Sequence, residues 1–238
     1  MPPNPLLHRR PRLRALTALL LAAFLPGCAK FPDSGTFAGV KRLTFSMTVA
    51  GQINPNYVYI FAIQPSTTGN PTTTGPIPVI SQPWGNGFVA GNCTYYVRYD
   101  PTTTPTYTVY QFRDGTLLQS FAIGAPVGYT DPGSGGQTLT FQLDLTEIAG
   151  STSIAQSYQA LQVNFLTMDH IPTGSDTSKV WDALGDETDP AQINSYVNIP
   201  LTTNGTYNNL YYHGLEPKGD CANPDLDITD FSVVVASQ

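Results

Sequence analysis

The chain has 238 residues, of which 17 are acidic and 11 basic, so its formal net charge is −6 at pH 7. Four of the basic residues are arginines near the N-terminus, in a segment with no acid, and the remaining chain carries seven basic and seventeen acidic groups. Binding to nucleic acid depends on clustered lysine and arginine side chains, so this composition excludes nucleic acid as a partner.

The first predicted element is an export leader over residues 1–27. After the arginines comes a short apolar stretch, Ala15–Leu25, and Gly27 stands directly before Cys28. This order of basic, apolar and small residues is typical of a secretory signal. A helix that spans a membrane needs roughly 20 apolar residues, so the leader does not predict a permanent transmembrane segment.

The end of the leader carries a family resemblance. The sequence Leu25-Pro26-Gly27-Cys28 resembles the lipobox of bacterial lipoproteins, with Pro26 at a position where small or hydroxyl residues are usual. The resemblance implies cleavage before Cys28, lipidation of that cysteine and an extracytoplasmic, membrane-anchored location in the cell envelope. By the same resemblance, Ala29 in place of Asp favours the outer membrane if the source is a diderm bacterium, and residues 28–39 form a lipidated tether. An ordinary secretory leader that contains a cysteine is the alternative.

Nine later segments have the pattern of β-strands. Residues 43–49 alternate between apolar and polar side chains, and residues 138–145 repeat this alternation, which is typical of half-buried strands. Residues 56–64 are apolar on both faces and predict a central strand that is covered on both sides. The other six predicted strands are Cys93–Tyr99, Thr106–Phe112, Thr116–Ile123, Ala160–Thr167, Ser195–Leu201 and Asp227–Ala236. Nine strands with turn-rich connections predict an all-β fold, a single antiparallel β-sandwich of jelly-roll or immunoglobulin-like type over residues 40–238.

The segment 64–87 is rich in proline, threonine, glycine and serine, and it is long for a connection in a compact domain. We expect its Thr-rich start to be loosely ordered. Its end carries Val79, Ile80 and Trp84 and is followed by Phe88, so we expect this part to fold back onto a sheet edge.

One short helix is predicted at Thr177–Asp186. There Val180, Trp181 and Leu184 share one helical face, and Gly185 is a stop signal. We expect this helix to be an insertion beside the sheet.

The chain has three cysteines, an odd number that becomes even once Cys28 carries lipid. An exported chain meets an oxidising compartment, which favours a disulfide between Cys93 and Cys221. Two unpaired, buried thiols are the alternative.

Acidic residues gather in two loop-like segments, 182–189 and 220–230. The candidate calcium ligands among them are Asp182, Asp186, Asp189, Asp225 and Asp227. Calcium takes roughly six to eight oxygen ligands, which loop carboxylates and carbonyls supply. The spacing is not that of an EF-hand, however, and aspartates in turns commonly accept backbone hydrogen bonds. We therefore favour a role for these aspartates in turns over calcium binding, and no other cofactor is predicted.

The chain lacks the common catalytic motifs GxSxG, HExxH, CxxC, GxGxxG and the P-loop. We therefore predict a protein that is not an enzyme. His170 and His213 are the histidines that follow the leader, and no local context marks a serine nucleophile beside either of them. The alternative is a glycosidase-like envelope hydrolase that uses loop carboxylates.

Aromatic side chains supply the candidate ligand-binding residues, most of them in the segment 204–217. The set is Trp84, Tyr207, Tyr211, Tyr212 and His213. Their ring faces and hydrogen-bonding groups suit stacking on a sugar or contact with a protein.

A second resemblance concerns the mature domain. The sequence NPDLDITDFSVVV at residues 223–235 is similar to the last strand of DOMON-like and family-nine carbohydrate-binding-module-like sandwiches, and residues 43–63 resemble their opening hairpin. Such domains bind sugars or haem, but no motif here aligns a methionine with a histidine, so haem is not expected. The predicted function is thus a lipid-anchored envelope β-sandwich that binds a glycan or protein partner or has a structural role.

Overall fold

Residues 40–238 are the part of the chain that this computed structural model describes. The predicted leader at residues 1–27, the lipidation site Cys28 and the tether up to residue 39 lie outside the described residues. Within residues 40–238, no helix is both long enough and apolar enough to cross a membrane.

The described residues form fourteen strands and two short helices. The strands are β1 (Lys41–Val49), β2 (Val58–Ser66), β3 (Pro76–Pro78), β4 (Val89–Gly91), β5 (Tyr95–Tyr99), β6 (Tyr107–Phe112), β7 (Ser120–Gly124), β8 (Gly128–Thr130), β9 (Thr138–Asp144), β10 (Ala160–Met168), β11 (Trp181–Ala183), β12 (Val197–Pro200), β13 (Gly205–Asn208) and β14 (Ile228–Ser237). The helices, both between β9 and β10, are α1 (Leu145–Ala149) and α2 (Thr152–Ser157). Each of the nine predicted strands overlaps an observed one, and the all-β prediction is confirmed.

Two antiparallel sheets pack face to face as a sandwich. The smaller sheet has the strand order β13–β14–β1–β9–β8 and the larger one β11–β10–β2–β5–β6–β7. Strands β11 and β12 both pair with β10, each along a different part of it. A separate hairpin consists of β3 and β4.

The main core lies between the inner faces of the two sheets, as the alternation in β1 predicts. Leu43, Phe45 and Met47 are fully buried there. The Phe45 ring centroid lies 6.4 Å from that of Phe61 on β2 and 5.0 Å from that of Phe141 on β9. Burying a side chain of this size contributes about 1.5–3 kcal/mol relative to leaving it exposed, so these rings hold the two sheets together.

A second apolar layer covers the outer face of the larger sheet. Ile60 of β2 belongs to this layer, together with Phe88, which follows the segment 64–87. The Phe88 ring lies 5.0 Å from that of Tyr96 and 6.0 Å from that of Phe112. Strand β2 is therefore covered on both sides, as its sequence predicts, and the cover lies on the sheet face rather than at an edge.

The Thr-rich start of the segment 64–87, predicted to be loosely ordered, is exposed at residues 67–70, and only its end is hydrogen-bonded to this outer face. The Gln162 side chain donates to the Thr73 carbonyl at 2.9 Å, and the Asn164 side chain donates to the Pro76 carbonyl at 3.0 Å. Both donors lie on β10 and are fully buried. Buried amide N–H groups need such partners, which the loop backbone supplies, whereas Gln162 Oε1 has no partner.

The helix predicted at Thr177–Asp186 is wrong. Trp181–Ala183 forms strand β11 instead and pairs with the end of β10. The spacing of Val180, Trp181 and Leu184 fits a helical face, but pairing with a distant strand decides the structure, and local spacing does not reveal that pairing. The two observed helices were not predicted, because five or six residues are too few to show a helical period.

The larger sheet extends one strand beyond the smaller one. Tyr129 on β8, the last strand of the smaller sheet, packs against Tyr107 of β6 with ring centroids 5.3 Å apart. Strand β7 lies beyond β6, and all five of its residues are exposed. Phe121 of β7 is opposite Gln111 and so shares the inner face with the core residue Val109, yet it is 40% exposed. This strand is thus left uncovered by the smaller sheet.

Candidate functional site

The predicted aromatic residues do not form one surface. Trp84 and Tyr207 are each only 5% exposed. The Trp84 indole N–H donates to the Asp176 carbonyl at 2.8 Å, and Tyr207 belongs to the main core. Tyr207 presents no free face for stacking on a ligand, whereas Trp84 contributes a small part of its surface to an open cavity of about 610 Å³ beside Pro83 and Pro172.

The other predicted residues lie at the tip of the segment 204–217. Tyr212 is half-buried, and its hydroxyl donates to the Asn198 carbonyl at 2.6 Å. Tyr211 is 55% exposed and His213 is exposed. The Tyr211 and Tyr212 rings lie 5.0 Å apart at 75°, which is an edge-to-face arrangement. The tip therefore offers one exposed tyrosine ring and the His213 imidazole rather than a flat platform for a sugar.

The structure exposes a different apolar surface, which the sequence analysis did not single out. We call it the β7 edge, and its residues are Leu118 (65% exposed), Phe121 (40%), Ile123 (36%), Val127 (46%) and Tyr129 (41%). Natural edge strands are usually protected by lysine, proline, other charges or a β-bulge, and the pairing of β7 with β6 has one such irregularity, beside Ile123. The sequence of β7, SFAIG, has neither a charged residue nor a proline. The sequence predicts an apolar strand here. Its exposure could not be predicted, because it depends on the larger sheet extending one strand beyond the smaller one.

Carboxylates from separate segments converge before the start of β14. Asp182 lies in the middle of β11, Asp220 lies in the loop that precedes β14, and Asp227 directly precedes that strand. One oxygen of each lies within 4.8 Å of the others. Asp182 is 1% exposed and Asp227 4% exposed. Together with Glu187 and Glu216, these residues form what we call the acidic cluster.

Backbone N–H groups hold the carboxylates in place. Asp182 accepts from the Ile228 N–H at 2.6 Å, and Asp227 accepts from the Gly219 N–H at 2.9 Å. Asp220 accepts from the Glu187 N–H at 3.1 Å. The cluster therefore joins three segments: β11 with the loop after it, the loop at 216–220, and the beginning of β14.

Glu216 extends the cluster into the protein interior. It is 2% exposed, and its Oε2 accepts from the Gly185 N–H at 3.0 Å. Its Oε1 is buried and has no hydrogen-bond partner, and the same is true of Asp220 Oδ1. Orphaned buried oxygens of this kind are rare in proteins because each carries a desolvation penalty.

Burial and mutual repulsion raise the pKa values of the cluster. Burial, followed by the charges of Asp182 and Asp220, raises the pKa of Glu216 well above its ordinary range. Burial and then the Asp220 charge raise the pKa of Glu187 to about 7. Burial also raises the pKa of Asp182 and of Asp220. No ion pair within residues 40–238 involves these carboxylates, so no side-chain cation neutralises them.

Only two of the five predicted calcium ligands, Asp182 and Asp227, belong to the acidic cluster. Asp186 and Asp189 accept hydrogen bonds from the backbone N–H groups two residues later, at 2.8 and 2.9 Å. Asp225 accepts from the Gln52 N–H at 2.9 Å. These three have the turn and loop roles that the favoured interpretation gives to such residues.

The predicted disulfide between Cys93 and Cys221 is not formed, and both thiols are free and buried. Cys93 Sγ lies 3.2 Å from the Tyr95 carbonyl, and Cys221 Sγ lies 3.4 Å from the Trp181 carbonyl. Across the strands of the larger sheet, Tyr95 aligns with Val163 of β10 and Trp181 pairs with Met168 of β10. These two positions are five residues, or about 16 Å, apart along the strand, which is too far for a disulfide. Burial raises the pKa of each thiol to about 12.

Comparisons of this chain with protein-family models, with curated proteins and with solved structures found no match. No residue role is therefore taken from a relative. The β7 edge and the acidic cluster are the two features of the described residues whose chemistry points to a ligand.

Proposed function

We infer that this chain is a non-catalytic, lipid-anchored β-sandwich of the cell envelope that binds a segment of another protein along β7. The anchor is supported by the leader and by the lipobox-like sequence that ends at Cys28. The observation that carries the binding function is the exposed β7 edge, whose own residues carry no charge, with the Arg113 guanidinium 5.7 Å from the Phe121 ring centroid.

A protein segment in extended conformation suits this edge. Strand β7 is the last strand of the larger sheet, so one side of its backbone has no neighbouring strand. An added strand satisfies such N–H and C=O groups, while pockets for alternate side chains give specificity. Phe121 and Ile123 supply apolar contacts beside the free backbone, and Leu118 and Val127 extend these contacts past both ends of the strand.

The geometry supports a glycan ligand and a hydrolase less well than a protein ligand. Among the predicted binding residues, Trp84 and Tyr207 are buried, and the exposed rings are those of Tyr211 and His213. The clustered carboxylates Asp182 and Glu216 are 1% and 2% exposed, so a sugar polymer has no access to them. The resemblance to DOMON-like sandwiches stays a prediction about which type of β-sandwich this domain is.

The binding proposal is tested with two lysine substitutions in the full-length protein. Ile123→Lys places a charge on the β7 edge, whereas Leu210→Lys places one at the 84% exposed tip of the segment 204–217. Affinity purification from solubilised envelopes identifies a candidate partner, and binding is then measured with purified components. We expect Ile123→Lys to weaken binding at least tenfold, because a desolvated lysine opposes strand addition, and Leu210→Lys to leave it unchanged.

The opposite pattern contradicts the proposal. Loss of the partner with Leu210→Lys alone assigns binding to the predicted segment 204–217. A glycan-array signal without any protein partner supports the glycan alternative instead.

The anchor is tested separately by Cys28→Ala. We expect this variant to lose palmitate labelling and to leave the membrane fraction. A wild-type protein without label, together with a variant that still fractionates with membranes, contradicts lipidation.

A further inference from the structure

The acidic cluster lacks any compensating charge, although it is built into the fold. Its carboxylates come from β11, from the loop at 216–220 and from the start of β14, and backbone N–H groups fix three of them. Lys218 is the lysine nearest in sequence, and it is exposed and forms no ion pair within the described residues. Buried carboxylates without a partner carry a large desolvation penalty, which a bound cation removes.

The buried side chain of Glu216, beside the aspartates, has an oxygen without a hydrogen-bond partner. This side chain is 2% exposed, its Oε2 is used by the Gly185 N–H, and its Oε1 has no partner. Asp220 Oδ1 also has no partner, although Asp220 as a whole is only partly buried. The fold thus positions two acceptor oxygens for which the described residues contain no donor.

The distances fit a calcium ion. Calcium lies about 2.3–2.6 Å from its oxygen ligands, so two ligands on opposite sides of the ion are about 4.6–5.2 Å apart. The three aspartate oxygens of the cluster lie within 4.8 Å of one another. One ion can therefore contact Asp182, Asp220 and Asp227 together.

The donor set favours calcium over softer metals. The cluster presents carboxylate oxygens and no imidazole, and such oxygen ligands suit calcium and magnesium rather than zinc. Cys221 lies beside the cluster, but its thiol is used in a contact with the Trp181 carbonyl. Magnesium demands near-ideal octahedral geometry at about 2.0–2.1 Å, whereas calcium accepts the irregular arrangement that carboxylates from separate loops provide.

We propose that Asp182, Asp220 and Asp227 bind one calcium ion, while the buried carboxylate of Glu216 adds negative charge beside the site. The ion links β11 and the loop at 216–220 to the beginning of β14, and it neutralises the carboxylates that the fold brings together. Its role is structural, and it is independent of binding at the β7 edge.

The test uses the full-length protein in detergent, freed of metal with EDTA. Calorimetric titration with CaCl₂ is expected to show one site. At a free calcium concentration about a hundred times the Kd, the Tm is expected to rise by about 5 °C or more. The same titration with MgCl₂ and ZnCl₂ is expected to show weaker binding.

Two variants and a matched control identify the residues. Asp220→Asn and Asp227→Asn each remove one charged ligand while keeping the side-chain shape, so each is expected to weaken calcium binding at least tenfold. Asp220→Asn also relieves repulsion, so without calcium its Tm is expected to equal or exceed that of the wild type. The control Asp189→Asn, an acidic residue of the neighbouring loop outside the cluster, is expected to bind calcium like the wild type.

Several outcomes overturn the proposal. It is wrong if calcium gives neither heat nor a Tm shift, which would mean that protons alone neutralise the cluster. It is also wrong if magnesium or zinc binds more tightly than calcium. If either variant fails to fold, as judged by circular dichroism, the other decides, and undiminished calcium binding in a folded variant refutes the assignment of that residue.

Discussion

The substitution Phe88→Ala tests whether the segment after β2 covers the larger sheet. Phe88 is 6% exposed and contacts the rings of Tyr96 and Phe112, with centroids 5.0 and 6.0 Å away. Replacing a buried phenylalanine by alanine costs about 3–5 kcal/mol. The outer layer is thin and can partly collapse into the space, so we expect the lower value, about 3 kcal/mol. In a domain of this size that loss lowers the Tm by about 6–12 °C.

Urea denaturation followed by circular dichroism provides the assay. We expect the midpoint for Phe88→Ala to fall by about 1.5 M with an unchanged m-value. Ile80→Ala is the matched control, because Ile80 precedes Phe88 in the same stretch and is 40% exposed. It should cost less than about 1 kcal/mol. A loss below about 1 kcal/mol for Phe88→Ala would show that the outer face is not covered, and that face would then become a further candidate for ligand binding.

Three further predictions concern single side chains. Tyr212→Phe removes the hydrogen bond to the Asn198 carbonyl and should cost about 1 kcal/mol in urea denaturation, and an unchanged midpoint refutes this. Burial lowers the pKa of Lys179 to about 8, so the unfolded chain retains this proton to higher pH than the folded one. The stability of the wild type relative to Lys179→Met should therefore rise by up to about 3 kcal/mol between pH 8 and about pH 10, and a flat difference contradicts it. Under non-reducing conditions Cys93 and Cys221 should resist alkylation in the folded protein and both react after unfolding, whereas a disulfide leaves them unreactive in both states.

The sequence was sufficient to predict the sandwich wherever a strand has one buried face. The alternation of Leu43, Phe45 and Met47 predicts β1 because every second side chain enters the core. It was insufficient where pairing with a distant strand decides the structure. Trp181–Ala183 is a strand because it pairs with β10, and its three residues are too few to show a period.

The acidic cluster was predictable only in part. Asp182 and Asp227 stand in acidic segments and were candidate calcium ligands, but their sequences do not show that the two segments meet. Glu216 had no signal, because a single glutamate in a loop carries no pattern that distinguishes a buried side chain from a solvated one. The β7 edge had a strand signal in Phe121 and Ile123, and their exposure depends on the different widths of the two sheets.

Site-specific photo-cross-linking in intact cells tests binding at the β7 edge most directly. A photoreactive amino acid is placed at position 123 of the full-length protein or, as the control, at position 210 in the segment 204–217. We predict a cross-linked adduct with another protein at position 123 and none at position 210. The proposal is contradicted by the absence of an adduct at position 123, by an equally strong adduct at position 210, or by an adduct at position 123 that contains only two copies of this chain.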